Sequence, residues 1–220
     1  MQENQLQRKL NVMKIYRRPF KYNYTSVIYY LIGINVLVFL AQHLFENVTF
    51  YLAMYPPLIL IGWVWQFVTY MFVHLPRSIS HILFNMLGLF IFGIQVERRM
   101  GSREFLLYYF VTGTLAGVIS FVVYYYTHSW VFLMGASGAV FAVELAFATF
   151  FPDAMIYIWG IIPVRAPILV LGYTALELFF SITGGQGNVA HLTHLSGFAV
   201  GWLYFLIRFR INPWKEFRKF

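Results

Sequence analysis

The sequence contains no cysteine and few charged residues. Without cysteine there are no disulfides, no thiol nucleophile and no Cys-based metal site. Only 11% of the 220 residues are charged, whereas 60% are hydrophobic and 21% are aromatic. In soluble domains roughly a quarter of the residues are charged, so this chain has too little polar surface for a soluble globule. This composition argues against a soluble enzyme, a disordered protein and a nucleic-acid binder, despite the net charge of +8.

Long apolar runs take the place of that polar surface. A membrane-spanning helix needs about 20 predominantly apolar residues. The composition therefore predicts an all-α polytopic membrane protein without room for a second, soluble domain. Seven apolar runs approach or reach the required length, and they lie at residues 25–44, 51–73, 79–96, 105–126, 137–151, 166–182 and 189–207.

The positions of Lys and Arg predict six spans rather than seven. Six basic residues precede residue 25, and five lie from Arg208 onward. Because Lys and Arg collect on the cytoplasmic side, both ends are expected there, which requires an even number of spans. The second run is broken by Pro56-Pro57 and is rich in aromatic residues, as suits a segment in the membrane interface. With this run set aside, 15 of the 16 basic residues are cytoplasmic and Arg77 alone faces outward.

Three of the predicted spans begin with polar residues that are costly within a membrane, which makes them functional candidates. They are His81 and Asn85 in span 2, Ser137 in span 4, and His191 and His194 in span 6. All three spans run from outside to inside in the six-span arrangement. We therefore expect these side chains at one depth, just below the outer surface.

Small residues predict that spans 4 and 6 pack closely. Gly197 and Gly201 lie on the same helix face as His194, and Gly138 follows Ser137 in span 4. Close packing would bring His194 beside Ser137, and a neighbouring histidine is the base that activates a serine nucleophile. The start of span 4 also offers backbone N–H groups to a developing oxyanion.

No carboxylate is expected to complete a triad. Glu144 lies seven residues past Ser137, about 10.5 Å deeper at 1.5 Å per residue, and is expected to be too deep to orient His194. Glu177 is interpreted as structural. A single buried Asn or His is often only an interhelical hydrogen-bonding group. The interpretation therefore depends on a serine, a histidine and an Asn/His pair occurring together at one depth.

Taken in order, these motifs resemble the rhomboid family of intramembrane serine proteases. The resemblance covers residues 25–208, with Gln66 where the family often has arginine and a His74–His81 gap that is two residues longer than usual. The matching elements are Trp65 nine residues before His74, His81-x-x-x-Asn85, Glu97-Arg98-Arg99-Met100-Gly101, Gly135-Ala136-Ser137-Gly138, and His194-x-x-Gly197-x-x-x-Gly201.

The resemblance implies a rhomboid-like bundle of six transmembrane helices, with the second run as a membrane-embedded L1 hairpin between helices 1 and 2. It implies Ser137 as the nucleophile and His194 as the general base. His191 could compete for the base role, but the spacing to the following glycines favours His194. The remaining implied site residues are His81 and Asn85 of the oxyanion hole and the supporting residues Gly135, Gly138, Phe141, Gly197 and Gly201.

The predicted function is that of an intramembrane serine endopeptidase acting near the extracytoplasmic face. The expected partners are single-span or multi-span membrane protein substrates and the lipid bilayer, not nucleic acid. The resemblance implies substrates with a small residue before the cut and an easily unwound helix, and the chemistry requires no metal or organic cofactor. We expect a plasma-membrane location, with a basic cytoplasmic N-terminal segment at 1–24, a catalytic domain at 25–208 and a basic cytoplasmic tail at 209–220.

Two alternatives belong to other functional classes. A non-catalytic relative would bind membrane clients, but such relatives typically lack the Ser or the His, and this chain has both. A transporter or channel would use the intramembrane His and Glu residues as a proton path. Cleavage of a single-span reporter, as against proton flux in proteoliposomes, distinguishes these possibilities.

Overall fold

The apolar runs of the sequence form helices that pack side by side. A computed structural model describes residues 20–158, 160–183 and 188–218. In chain order the elements are α1 (Val27–Leu44), α2 (Val48–Leu52), α3 (Pro56–Leu60), α4 (Gln66–Thr69), α5 (Ile79–Met100), α6 (Ser102–Tyr126), α7 (Ser137–Phe150), β1 (Met155–Ile158), β2 (Ile162–Arg165), α8 (Ala166–Thr183), α9 (Asn188–Tyr204) and α10 (Pro213–Phe217).

Six of these helices correspond to the six predicted spans. Within the described residues, α1, α5, α6, α8 and α9 with its extension to Phe209 are long and apolar enough to cross a membrane. The sixth, α7, is apolar but has only 14 residues, about 21 Å of helix at 1.5 Å per residue. It packs against α6, α8 and α9, and most of its side chains are buried. The predicted six-helix membrane bundle is confirmed.

The second apolar run forms the predicted hairpin-like segment and no continuous helix. Residues 48–72 fold into α2, α3, α4 and a 3-10 turn, in a stretch where Pro56 and Pro57 interrupt helix formation. The buried Gln66 side chain accepts a hydrogen bond from the Tyr55 N–H at 3.1 Å and donates to the Phe50 carbonyl at 3.2 Å. Gln66 therefore ties together the two arms of the L1 segment, at the position where the family often has arginine.

Glycines allow α7 and α9 to touch backbone to backbone. A Cβ atom added at Gly197 would overlap the carbonyl oxygen of Gly138. A Cβ at Gly201 would lie 2.7 Å from the Tyr108 hydroxyl, which donates a 2.6 Å hydrogen bond to the Ala142 carbonyl. The predicted close contact of spans 4 and 6 is confirmed, and its cause is the absence of side chains at these positions.

At the end of α5 a buried carboxylate caps the first spanning helix. Glu97 accepts hydrogen bonds from the N–H groups of Val27 and Ile28 at 2.8 and 3.3 Å, and from the Ser102 hydroxyl at 2.5 Å. A carboxylate at a helix N-terminus satisfies N–H groups that have no partner within the helix. The Glu97-Arg98-Arg99-Met100-Gly101 motif thereby links α1, α5 and α6.

One feature lies outside the helical pattern that the sequence predicts. Strands β1 and β2 form a short antiparallel hairpin, with Met155 paired to Arg165 and Ile158 to Ile162, and this hairpin connects α7 to α8.

Most of the basic N-terminal segment and the last two residues of the tail lie outside the described residues. The domain limits at 1–24, 25–208 and 209–220 remain predictions.

Candidate active site

A cavity of about 510 Å³ lies at the end of the bundle where α5 and α7 begin. Its position follows from chain direction, because α5, α7 and α9 all start at this end and bring their first turns to one level. The residues that line it are Leu75, Ser78, Ser80, His81, Phe84, Asn85, Phe132, Leu133, Met134, Gly135, Ser137, Val140, Phe141, Glu144, Thr193 and His194.

Ser137 and His194 are hydrogen bonded to each other in this cavity. The Ser137 Oγ lies 2.7 Å from the His194 Nε2, although the two residues are 57 positions apart in the chain. Ser137 is the first residue of α7, and His194 lies in the early part of α9. A serine hydroxyl at this distance from an imidazole nitrogen has the geometry needed for general-base activation.

An aromatic ring holds the imidazole of His194 in place. The Phe141 ring lies parallel to it, with ring centroids 4.5 Å apart and an interplanar angle of 8°. Phe141 is one helical turn after Ser137, so α7 presents the hydroxyl and the ring from the same face. The stacked ring limits the orientations in which the imidazole nitrogen can meet the hydroxyl.

His81 lies across the cavity with one ring nitrogen available as a donor. Its Nδ1 accepts a hydrogen bond from the Leu75 N–H at 3.2 Å, so in the neutral ring the proton is on Nε2. Gly135 has a φ of +126°, which favours glycine, and a Cβ there would lie 2.9 Å from the His81 Nε2. The glycine therefore allows the His81 ring to approach the start of α7.

Asn85 lies one turn after His81 and binds its backbone. The Asn85 Nδ2 donates to the His81 carbonyl at 2.7 Å. An amide nitrogen carries two N–H groups, so a second donor remains on the same atom. His81, Asn85 and the first turn of α7 at Ser137 all line the same cavity, so their N–H groups face one space.

The remaining site residues predicted from the sequence lie where helix packing requires them. Gly138 is in the contact between α7 and α9, and a Cβ there would lie 3.1 Å from Thr193 and 3.2 Å from Ala116. Gly197 and Gly201 form the rest of that contact.

The prediction that no carboxylate accompanies the histidine is wrong. The Glu177 Oε2 lies 3.1 Å from the His194 Nδ1 and 2.5 Å from the His191 Nδ1. The direction of the chain in span 5 explains the position of Glu177. Because α8 runs toward the cavity end, a residue near its C-terminal end reaches the same depth as the start of α9. Glu144, which the sequence places deeper than Ser137, lines the cavity as well.

A second group missed from the sequence supports the cavity from behind. The Gln42 side chain accepts from the His74 N–H at 3.1 Å and donates to the His74 carbonyl at 2.8 Å. The His74 ring is fully buried, 5.1 Å from the His81 ring. Burial, with a smaller contribution from His81, lowers the pKa of His74 to about 4. A glutamine within an apolar run was the available signal.

Comparison with known proteins agrees with this architecture. A family model described as Rhomboid domain matches residues 61–211. The chain is 34% identical over 177 residues to the rhomboid protease GlpG of Haemophilus influenzae, covering 79% of this chain and 86% of that protein. It is 27% identical over 193 residues to the rhomboid protease AarA of Providencia stuartii, covering 78% and 68%. It is 30% identical over 151 residues to the mitochondrial RHOMBOID-like protein 12 of Arabidopsis thaliana, covering 60% and 43%.

The fold and the cavity define an integral, multi-pass helical membrane protein in which a serine and a histidine meet within the bundle. With the family model covering more than half of the chain, this chain belongs to the rhomboid family. Relatives named as rhomboid proteases relate it, at the level of the family, to intramembrane proteases, a class of hydrolases.

Proposed function

We propose that this chain is an intramembrane serine endopeptidase with Ser137 as the nucleophile and His194 as the general base. The observation that carries the proposal is the 2.7 Å hydrogen bond between the Ser137 Oγ and the His194 Nε2, inside a cavity large enough for an extended peptide segment. A serine is a weak nucleophile until a base takes its proton, and the imidazole is positioned to do so.

In the proposed reaction, the Ser137 oxygen attacks the carbonyl carbon of the scissile peptide bond while its proton passes to the His194 Nε2. The carbonyl oxygen acquires a negative charge, which the His81 Nε2–H, the Asn85 Nδ2–H and the Ser137 backbone N–H stabilise. The imidazolium then gives its proton to the leaving amine, the C–N bond breaks, and an acyl-enzyme remains. Water, activated by the same imidazole, hydrolyses the ester.

The proposed substrates are membrane proteins with one or more spans. The cavity begins at the first turns of α5, α7 and α9, so the scissile bond has to leave its own helix near that end. Substrates with a small residue before the cut and an easily unwound helix fit this requirement. In the orientation predicted from Lys and Arg, that end faces away from the cytoplasm.

The proposed location is the plasma membrane, with both termini in the cytoplasm. The support is the concentration of basic residues at 1–24, at 209–220 and in the segment around Arg98, Arg99 and Arg103. The catalytic domain is proposed to be residues 25–208.

The proposal is tested with a single-span reporter protein in liposomes. Wild type is expected to cleave it and Ser137→Ala to produce no fragment, while the thermal unfolding of the variant in detergent stays near that of wild type. Ser129→Ala is the matched control, because this serine lies outside the residues that line the cavity. Cleavage by a stable Ser137→Ala variant would contradict the proposal, and proton flux without cleavage would support the transporter alternative.

A further inference from the structure

Glu177, His191 and His194 form a compact cluster beside Ser137. The Glu177 Oε2 lies 2.5 Å from the His191 Nδ1 and 3.1 Å from the His194 Nδ1. The three potential ligand atoms all lie within 4.8 Å of one another. Two imidazole nitrogens and one carboxylate oxygen are a ligand set that Zn²⁺ adopts in proteins.

The side chains of the cluster are held in position by aromatic rings. Phe180 stacks on His191 with centroids 5.6 Å apart, and Phe141 stacks on His194 at 4.5 Å. Glu177 and Phe180 are three residues apart on α8, as are His191 and His194 on α9, so each helix presents its pair from one face. Ligands oriented by their surroundings lose little freedom when they bind a metal.

One ring nitrogen of the cluster faces the carboxylate with poor alignment. The His194 Nδ1 is buried and makes no well-aligned hydrogen bond among the described residues, and the polar atom beside it is the Glu177 Oε2 at 3.1 Å. A buried nitrogen and an adjacent carboxylate oxygen with this arrangement can both bind one metal ion. The other cluster groups remain within reach of an ion, since the Glu177 and His191 side chains are 17% and 18% exposed.

The spacing of the cluster is close to that of a metal site. With metal–ligand bonds of about 2.1 Å, the ligand atoms of a tetrahedral zinc site are roughly 3.4 Å apart. The observed separation of 3.1 Å for His194 lies near this value, whereas the 2.5 Å separation for His191 is about 0.9 Å shorter, so the Glu177 carboxylate has to move away from His191 when the ion binds. A small rotation of the carboxylate therefore opens the cluster to the ion.

We propose that Glu177, His191 and His194 bind a Zn²⁺ ion that switches off the neighbouring serine. The inhibitory part of this proposal rests on the function proposed above, whereas the binding part does not. A neutral imidazole has one lone pair in the plane of its ring. When zinc takes this pair at the His194 Nδ1, the ring proton lies on Nε2. Nε2 then faces Ser137 as a donor and cannot accept the proton of the hydroxyl.

The first experiment measures binding without any dependence on activity. The full-length Ser137→Ala chain, purified in detergent without a polyhistidine tag, is titrated calorimetrically with ZnCl₂. One Zn²⁺ per chain is expected. Adding His191→Asn or Glu177→Gln should weaken the affinity at least about tenfold, since each removes a ligand. Adding His128→Asn is the matched control and should leave the affinity unchanged, because this exposed histidine lies in the loop after α6. Absence of stoichiometric binding, or unchanged affinity in both cluster variants, overturns the site.

The second experiment measures cleavage of the reporter by chains that retain Ser137. For each variant the rate with ZnCl₂ is divided by the rate with EDTA, so differences in basal activity cancel. With Zn²⁺ about tenfold above the wild-type Kd, wild type should show a ratio of about 0.1, restored by EDTA, whereas Glu177→Gln, which binds at least about tenfold more weakly, should show a ratio of about 0.5 or higher. Full cleavage by zinc-saturated wild type overturns the inhibitory role. If wild type binds one Zn²⁺ but cleaves nothing in EDTA, the protease proposal fails and the metal site stands.

Discussion

Ser137 and His194 are expected to act as a single unit, because the proton that leaves the hydroxyl is the one that the imidazole receives. We predict that His194→Ala lowers turnover by on the order of 10⁴-fold or more, and that adding Ser137→Ala lowers it no further. The measurement is kcat/KM on the single-span reporter for both single variants and the double variant. His128→Asn is a histidine control outside the cavity. If the two substitutions lowered kcat/KM independently, their effects would multiply in the double variant. That result would contradict the prediction that Ser137 and His194 act as one unit.

Asn85 is expected to contribute to transition-state stabilisation more than to folding. Asn85→Ala should lower kcat by about 10- to 10³-fold, the upper limit being the loss of one strong donor. The substitution should lower the free energy of unfolding by about 1 kcal/mol, the net contribution of one hydrogen bond.

Asn35 provides a matched control for this substitution. It is also buried and its Nδ2 donates to a carbonyl four residues earlier, the Leu31 carbonyl at 2.8 Å, but it does not line the cavity. Asn35→Ala should therefore affect stability without a comparable loss of kcat. If both variants keep full activity, the oxyanion role of Asn85 is wrong.

His74 predicts a pH dependence of stability, because burial lowers its pKa to about 4 in the folded chain. An unfolded chain takes up the proton near pH 6.5. The stabilisation is therefore complete above about pH 6.5 and is lost as the pH falls toward 4. At 1.36 kcal/mol per pKa unit its full size is about 3 kcal/mol.

The measurement is thermal unfolding in detergent between pH 7.5 and 4, compared for wild type and His74→Leu. Wild type should lose more stability over this range than the variant. His128→Asn should follow the wild-type curve, since its ring is exposed. Identical pH curves for wild type and His74→Leu would refute the prediction.

Two elements, α7 and α9, owe their contact to glycine. Gly197→Ala should destabilise the protein by about 1–3 kcal/mol, the usual effect of overpacking, because its methyl group would overlap the Gly138 carbonyl. It should also lower cleavage, since α9 carries His194 and would move away from Ser137.

Gly172→Ala in α8 is the matched control. It replaces a helical glycine by the same residue at a position with nothing within 4 Å of the added Cβ. There the substitution should be neutral or stabilising, because alanine favours the helix. Thermal unfolding and reporter cleavage are measured for both variants. Equal effects of the two substitutions would show that the close contact of α7 and α9 determines neither stability nor activity.

The L1 segment shows how far sequence patterns predict an element. Pro56-Pro57 and the aromatic content correctly exclude a spanning helix at residues 51–73. They do not identify what holds the segment, because the Gln66 hydrogen bonds join backbone groups of Phe50 and Tyr55, 16 and 11 residues away. Hydrogen bonds from a side chain to distant backbone groups follow no sequence periodicity, so a sequence pattern does not reveal them.

The orientation of the whole molecule is a prediction of charge distribution. A reporter enzyme active only outside the cytoplasm should be active when fused after residue 128 and inactive when fused after residue 220. The physical reason is that Lys and Arg are retained on the cytoplasmic side, where the termini of this chain carry most of them. The same activity at both positions would rule out the predicted orientation and with it the outward-facing cavity.

The amino-acid sequence is sufficient to predict the membrane class, the six helices and the end of the bundle at which Ser137, His194, His81 and Asn85 gather. The reason is that lipid leaves a spanning segment little choice but a helix, and chain direction then sets the depth of each residue. Tertiary structure is needed for the distances within a cluster and for partners on helices that the motifs do not connect. Glu177 illustrates the difference, because its place beside His191 and His194 depends on how α8 is rotated and packed against α9, and this is decided by side-chain packing between helices.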